Sequence, residues 1–310
     1  MTKKNFLIIL ILLILSSVIL FTSFVYIQRQ HEKNLRGTYT FSNTKDNIHI
    51  MKTIKIKNND NEELTIYREK DVWKIKEAAD YYVNPHILVN FYDMIHNSII
   101  TTVLEEEYND ETENKTIIET YSEDNNLLDR IILGKEAENK KYKYAVINNN
   151  SISYLVNNTE KFSSDLYDWV PHPLLRLPYQ DISFLEIDGK KINKNILEKI
   201  LPYYEEIAKG LKFFSYMTYE SVIKKEDIFK IIPQDKPHNI TITISSGIMY
   251  SFDIYKTGDL YLISITLNTT RIPRKEANEF VKNNQPYYSD WLFAINSDIG
   301  SILYNLTLID

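Results

Sequence analysis

Residues 240–267 read ITITISSGIMYSFDIYKTGDLYLISITL. Ile240, Ile242 and Ile244 fall on every second position, which is the period of a strand with one face buried. Ser246-Gly247 supplies a turn, 248–255 a second apolar strand, Thr257-Gly258-Asp259 another turn, and 260–267 a third strand. Turns this short join antiparallel neighbours, so the stretch is a β-meander. Pro273 then opens a helix whose inward side chains are Ala277, Phe280 and Val281, and Trp291 and Phe293 stand in a closing strand.

The same order of elements is written near the start of the chain. Ile48, Ile50, Ile54 and Ile56 keep the strand period, Asn58-Asn59-Asp60-Asn61 makes a turn, and Leu64, Ile66 and Val72-Trp73-Lys74-Ile75 give two more short strands. Asn84-Pro85 starts a helix carrying Leu88, Phe91 and Ile95 on one face. Between these blocks the pattern is looser. Strands are predicted at 116–121, 127–133, 142–147 and 152–156, a short helix around 161–169, and a strand at 182–187 ending in Asp188-Gly189. Ile196, Leu197, Ile200 and Leu201 define a further helix that Pro202 kinks or ends. The expected fold is α+β: an N-terminal transmembrane helix followed by repeated antiparallel β-meander plus helix units, at about 48–104, 116–180 and 181–310 within an extracytoplasmic domain 48–310.

The transmembrane expectation rests on residues 6–27, FLIILILLILSSVILFTSFVYI, 22 residues without a charge. At ~1.5 Å per residue this run reaches ~33 Å, enough for a ~30 Å hydrocarbon core. A cleaved signal peptide has a shorter apolar core ending in small residues, whereas this run is long and contains no Ala. The tail 1–5 is read as cytoplasmic, 28–47 as a polar linker, and the lipid bilayer as the partner of 6–27, which places the protein in the cell membrane as a single-pass chain. Lys3 and Lys4 before the span are nearly balanced by Arg29, Lys33 and Arg36 after it, so charge alone barely decides orientation.

Composition removes several function classes. There is no Cys among 310 residues, hence no thiol nucleophile, disulfide or lipid-modified cysteine. Only 7 Gly are present, which disfavours phosphate-cradling loops. The net charge of −6 without a basic block argues against a nucleic-acid partner. The abundance of Lys, Ile and Asn reflects an AT-rich genome rather than a function.

Motifs that carry chemistry are weak. Ser221-Val222-Ile223-Lys224 and Lys256-Thr257-Gly258 match the S-x-x-K and K-T-G patterns of penicillin-recognising serine enzymes. No S-D-N accompanies them, and the helical insert that such a site needs between the two is missing. Ser42-Asn43-Thr44-Lys45 fits S-x-x-K equally well, so the pattern is cheap here. Among six His, no metal-binding spacing occurs. His86 and His96 share a helix but lie ~15 Å apart along it, and His172 sits between Pro171 and Pro173. The acidic stretch 105–115 reads as a solvated loop, with a cation site as the sharper alternative. Trp73, Trp169 and Trp291 are read as core anchors; exposed together they would instead make a sugar-stacking platform. No catalytic, cofactor-binding or metal residue is assigned.

The order of segments TIKIKNNDNEELTIY, VWKIKEAADYYVNPHILVNFYDMI, YKYAVINNNSISYLV, DLYDWVPHPLLRLPYQDISFLEI, SFDIYKTGDLYLISI and FVKNNQPYYSDWLFAI resembles the bacterial family called domain of unknown function 4340, over most of 48–295. Trp73-Lys74-Ile75 ahead of a Pro-started helix is the strongest cue. The resemblance implies a membrane-anchored or exported strand-rich protein, in some members tied to auxiliary components of gliding-motility-type ABC transporters, and it brings no catalytic residues. The expected function is therefore a non-enzymatic auxiliary or scaffold component of a membrane transport or envelope complex, with a cell-wall or extracellular ligand-binding module as the alternative and an unrecognised hydrolase behind it.

Overall fold

The computed structural model of the chain describes residues 16–23, 26, 34–58, 63–104, 115–138, 140–148, 152–157, 159–160, 162–228, 236–271 and 273–306. Its strands in chain order are β1 Met51–Lys57, β2 Glu63–Glu69, β3 Val72–Ile75, β4 Tyr81–Tyr82, β5 Ile100–Val103, β6 Thr116–Ser122, β7 Leu127–Glu136 and β8 Lys143–Ile147. They continue with β9 Ser153–Val156, β10 Ile182–Ile187, β11 Lys190–Asn193, β12 Ser221–Lys224, β13 His238–Ile244, β14 Ile248–Thr257, β15 Leu260–Thr269 and β16 Trp291–Ile295. All described pairings are antiparallel, and several helices accompany them, so the class is α+β.

Contacts divide the chain into two units, one made of 1–65 and 86–165, the other of 66–85 and 166–310. Sequence reading divides it instead into consecutive blocks. The difference arises because the 66–85 segment, contiguous in sequence with the first block, packs its side chains against residues beyond 166.

In the first unit the strand order is β1-β6-β7-β8-β9-β5, and β2, which pairs with β1, belongs to this unit only through residues 63–65. Alternation along β6 buries Thr116, Ile118, Thr120 and Ser122 on one face, as the period-2 reading requires. The helix Pro85–Asn97 begins at its proline and buries Phe91, Met94 and Ile95. Residues 38–47, read from sequence as the end of a polar linker, are instead built into this unit. Phe41 is fully buried edge-on to Phe91, and the helix Ser42–Asp46 is held by β7. Its first-turn amide at Thr44 has no partner within the helix and donates to Asp129 Oδ2 at 2.7 Å, as does the Thr44 hydroxyl at 2.7 Å. Asn43 and Asn148 donate to the other carboxylate oxygen at 3.1 and 3.2 Å. A fully buried carboxylate is thus satisfied at both oxygens, the condition for tolerating it in a core.

In the second unit the main sheet runs β11-β10-β13-β14-β15-β16-β12. The two-residue turn Ser245-Ser246 with Gly247 (φ +89°), and Gly258 (φ +60°), sit where the meander reverses, as the sequence implies. Every residue of β16 is buried, so this strand is covered on both faces rather than one. The helix Ser297–Tyr304 packs on β14 and β15 of this sheet and against the helix Glu205–Ser215. Gly300 lets it approach: a Cβ there would overlap Cβ and Cγ of Tyr261. Gly210 serves the facing helix, where a Cβ would come to 3.1 Å of Leu303 Cδ2. Neither helix, nor β12, has a counterpart in the sequence reading. Ser221-Val222-Ile223-Lys224 is a strand, so Ser221 and Lys224 are not one helical turn apart, and the S-x-x-K reading fails on geometry. The helix near 161–169 shortens to Leu166–Trp169, and Phe280, expected inward, is exposed on its helix.

Of the apolar run 6–27, residues 16–23 and 26 are helical and the rest lies outside the described residues, as does 105–114 of the acidic stretch. No helix among the described residues is long and apolar enough to cross a membrane.

Two substitutions test this packing. In a solvated helix Gly→Ala gains up to about 1 kcal/mol, but at Gly300 the overlap is with the root of the Tyr261 ring, which cannot swing aside. Gly300→Ala should therefore lower unfolding free energy by about 1–3 kcal/mol in urea titration. Asp129→Ala, which leaves the Thr44 amide unpaired, should cost about 2–4 kcal/mol in the same assay.

Candidate functional site

The candidate site lies wholly in the second unit and is built first by two tight turns. Lys70 (φ 49°) and Asp71 (φ 66°) close the β2–β3 hairpin with both central residues left-handed, a type I′ arrangement that matches strand twist. It sets Glu69 beside Lys74, whose Nζ donates to Glu69 Oε2 at 2.7 Å. After β3, Ala79 (φ 54°) and Asp80 (φ 61°) are again left-handed. Asp tolerates this region; for Ala it is unfavourable and must be held by its surroundings.

Trp291 holds it. Its indole N–H donates to the Ala79 carbonyl at 3.0 Å, and its ring lies edge-on to Tyr81 and Tyr82, with centroids 5.2 and 5.3 Å away. Asp80 accepts from the Tyr67 hydroxyl at 2.7 Å and forms an ion pair with Lys224. These groups line a cleft of about 650 Å³ together with Lys225, Glu226, Ser289 and Asp290.

The electrostatics follow from the pairing. Burial alone would raise the Asp80 carboxyl, but hydrogen bonds from Lys224 and Tyr67 outweigh it and hold Asp80 below its ordinary value. The same bond keeps Lys224 firmly protonated. Burial, and then the adjacent Asp80, push the Tyr67 phenol far up. Glu69 is held down by Lys74. Lys225 moves the other way, because burial disfavours its ammonium more than the charges of Asp253 and Asp290 favour it. Neither Glu69 nor Asp80 is pushed up, the direction a carboxyl needs to serve as a general acid near neutral pH.

The residues weighed from sequence lie elsewhere. Lys256-Thr257-Gly258 ends β14 and turns the chain, with no part in the cleft. Lys45 of the second S-x-x-K match donates to the His96 carbonyl at 3.2 Å and lies over the Tyr39 ring. His86 and His96 share the helix Pro85–Asn97, and no group of three potential ligands among the described residues could hold a metal ion. Trp73, Trp169 and Trp291 are 8, 0 and 4 % exposed, so they form no exposed stacking platform. Lys224 belongs to the cleft, but through Asp80, a partner 144 positions away that no local pattern announces.

His172 does occupy an unusual place. Its ring is stacked between Tyr167 and Tyr219, with centroids 3.6 and 4.6 Å away, and neither ring nitrogen has a hydrogen-bond partner. Burial pushes its pKa below the ordinary imidazole value.

No family model, curated protein or solved structure matches this chain.

The pH dependence at His172 has a definite sign. The folded state keeps the ring neutral where the unfolded chain takes up a proton at about pH 6.5. Its contribution to stability is therefore complete above that pH and is lost as pH falls through the lower folded value. His172→Phe, which keeps a flat ring in the stack, should flatten the loss of unfolding free energy between about pH 7.5 and 5.5 relative to the unsubstituted chain.

Proposed function

We propose that this chain is a single-pass, membrane-anchored protein whose α+β body lies outside the cytoplasm and serves as a non-enzymatic auxiliary or scaffold component of a membrane transport or envelope complex. The observation that carries the anchor is at residues 16–23. They are helical, and Val18, Ile19, Leu20 and Phe21 stand 53–71 % exposed. Apolar surface left in water costs roughly 25 cal/mol per Å². Continued through the uncharged run 6–27, such a helix is accommodated by lipid. The resemblance to domain of unknown function 4340 supports the transport or envelope partner. The recurrence of a meander with an attached helix, at β1–β3 and again at β13–β15, supports an internal duplication.

A second reading, that the body is a ligand-binding module, is favoured by the cleft beside Asp80 and Trp291, whose volume suits a small molecule. A module that binds its ligand through exposed Tyr and Trp, as the sequence reading has it, is overturned by the burial of all three Trp, so this second reading rests on the cleft alone.

Membrane fractionation of the tagged full chain tests the anchor. The protein should stay in the pellet after an alkaline carbonate wash, and a chain lacking 1–27 should not. Recovery in the soluble fraction would remove the anchor from the proposal. Mild-detergent pull-down with mass spectrometry tests the complex: reproducible recovery of membrane-transport or envelope subunits is expected, and recovery of this chain alone would defeat the auxiliary role.

A further inference from the structure

Within the cleft, the charges sort into those already matched and those left over. Lys74 is matched by Glu69 and Lys224 by Asp80. What remains among the lining residues is one cation, Lys225, and two anions, Glu226 and Asp290, none of which makes a direct ion pair among the described residues; the charges acting on Lys225 are those of Asp253, which does not line the cleft, and then Asp290. This is odd for Lys225 and Asp290, because their backbones touch. The Lys225 amide donates to the Asp290 carbonyl at 2.9 Å, where the β12–β16 ladder ends at the pair Lys224↔Trp291. Two opposite charges on neighbouring residues line one cleft, act on each other electrostatically, and yet stay out of contact.

We propose that the cleft binds an α-amino-acid-type zwitterion, its carboxylate on Lys225 Nζ and its ammonium on the carboxylate of Asp290, with Glu226 adding to the cationic side. The inference rests on the second reading above, that the body is a ligand-binding module, and is independent of the anchor. An opposite-sign pair held apart inside a partly desolvated cleft is complementary to a ligand carrying both signs on neighbouring atoms. An anion alone would meet Asp290 and Glu226 as repulsive neighbours, and a cation alone would meet Lys225. Discrimination against single-charge analogues is thus built in as unfavourable contacts as well as favourable ones. A carboxylate on Lys225 would also relieve the burial that now disfavours its ammonium. The rest of the ligand faces aromatic rings: Tyr82 and Trp291 line the cleft with centroids 5.3 Å apart, and Tyr82 also packs against Tyr287, with centroids 4.4 Å apart. Tyr287 supports Tyr82 without lining the cleft itself, so Tyr82 and Trp291 are the rings a ligand side chain would meet.

Isothermal titration of the full chain in detergent with L-phenylalanine, N-acetyl-L-phenylalanine and L-phenylalaninamide tests this. L-Phenylalanine should bind about tenfold more tightly than either analogue. Lys225→Met, which keeps the aliphatic stem, should erase the preference over the amide, and Asp290→Asn the preference over the N-acetyl form. Thermal unfolding of each variant checks its fold; if one fails to fold, the ratios measured on the unsubstituted chain decide. Equal affinity for all three ligands, weakened by either substitution, would keep the cleft as a ligand site and overturn the zwitterion assignment. Absence of any saturable binding up to about 10 mM would overturn both.

Discussion

The hydrogen bond from the Trp291 indole to the Ala79 carbonyl is the contact on which the candidate site depends. It joins residues 212 positions apart and fixes a backbone that Ala79 would not adopt alone. A buried indole N–H without an acceptor is costly, and so is a left-handed alanine; the hydrogen bond satisfies the first and offsets the second. With Ala79 fixed, Asp80 is delivered to Lys224 and Tyr67, and Tyr81 is pressed edge-on against Trp291 and Phe293. The cleft is therefore a consequence of core packing: the same tryptophan that anchors the core shapes the polar wall beside it.

The charges in the cleft show a division of roles. Two ion pairs are closed and partly shielded, which suits them to hold the turns in place. Lys225, Glu226 and Asp290 are not closed by one another. A set of groups that positions backbone, next to a set that does not, is an arrangement suited to recognition. The matched carboxyls, held ionised by their lysines, are poorly suited to donate a proton near neutral pH.

Much of the architecture was legible because it is written in local periodicity. The strand at 182–187, the turns at Asp188-Gly189 and Gly258, and the helix starting at Pro85 all follow from alternation, from glycine's freedom at positive φ and from proline's fixed φ. The helices Glu205–Ser215 and Ser297–Tyr304 were not legible, and each contains a glycine in its interior, Gly210 and Gly300. Glycine weakens the local helical signal. Its value here lies in letting one helix approach Leu303 and the other Tyr261, which only the packed chain reveals. Phe41 and Thr44 were hidden for a related reason: a short polar-looking stretch becomes core because a carboxylate 85 positions away supplies the partner its helix lacks.

From residues alone came the strand-rich α+β class, the apolar run 6–27, the core role of the three Trp and the exclusion of thiol chemistry, because each rests on composition or on a period of two or 3.6 residues. Tertiary structure decided which segments share a unit, that 66–85 belongs with 166–310, and that Asp80, Lys225 and Asp290 meet in one cleft. Pairings such as Asp80 with Lys224 span 144 positions, and no local preference encodes a contact whose energy exists only once both strands are in place.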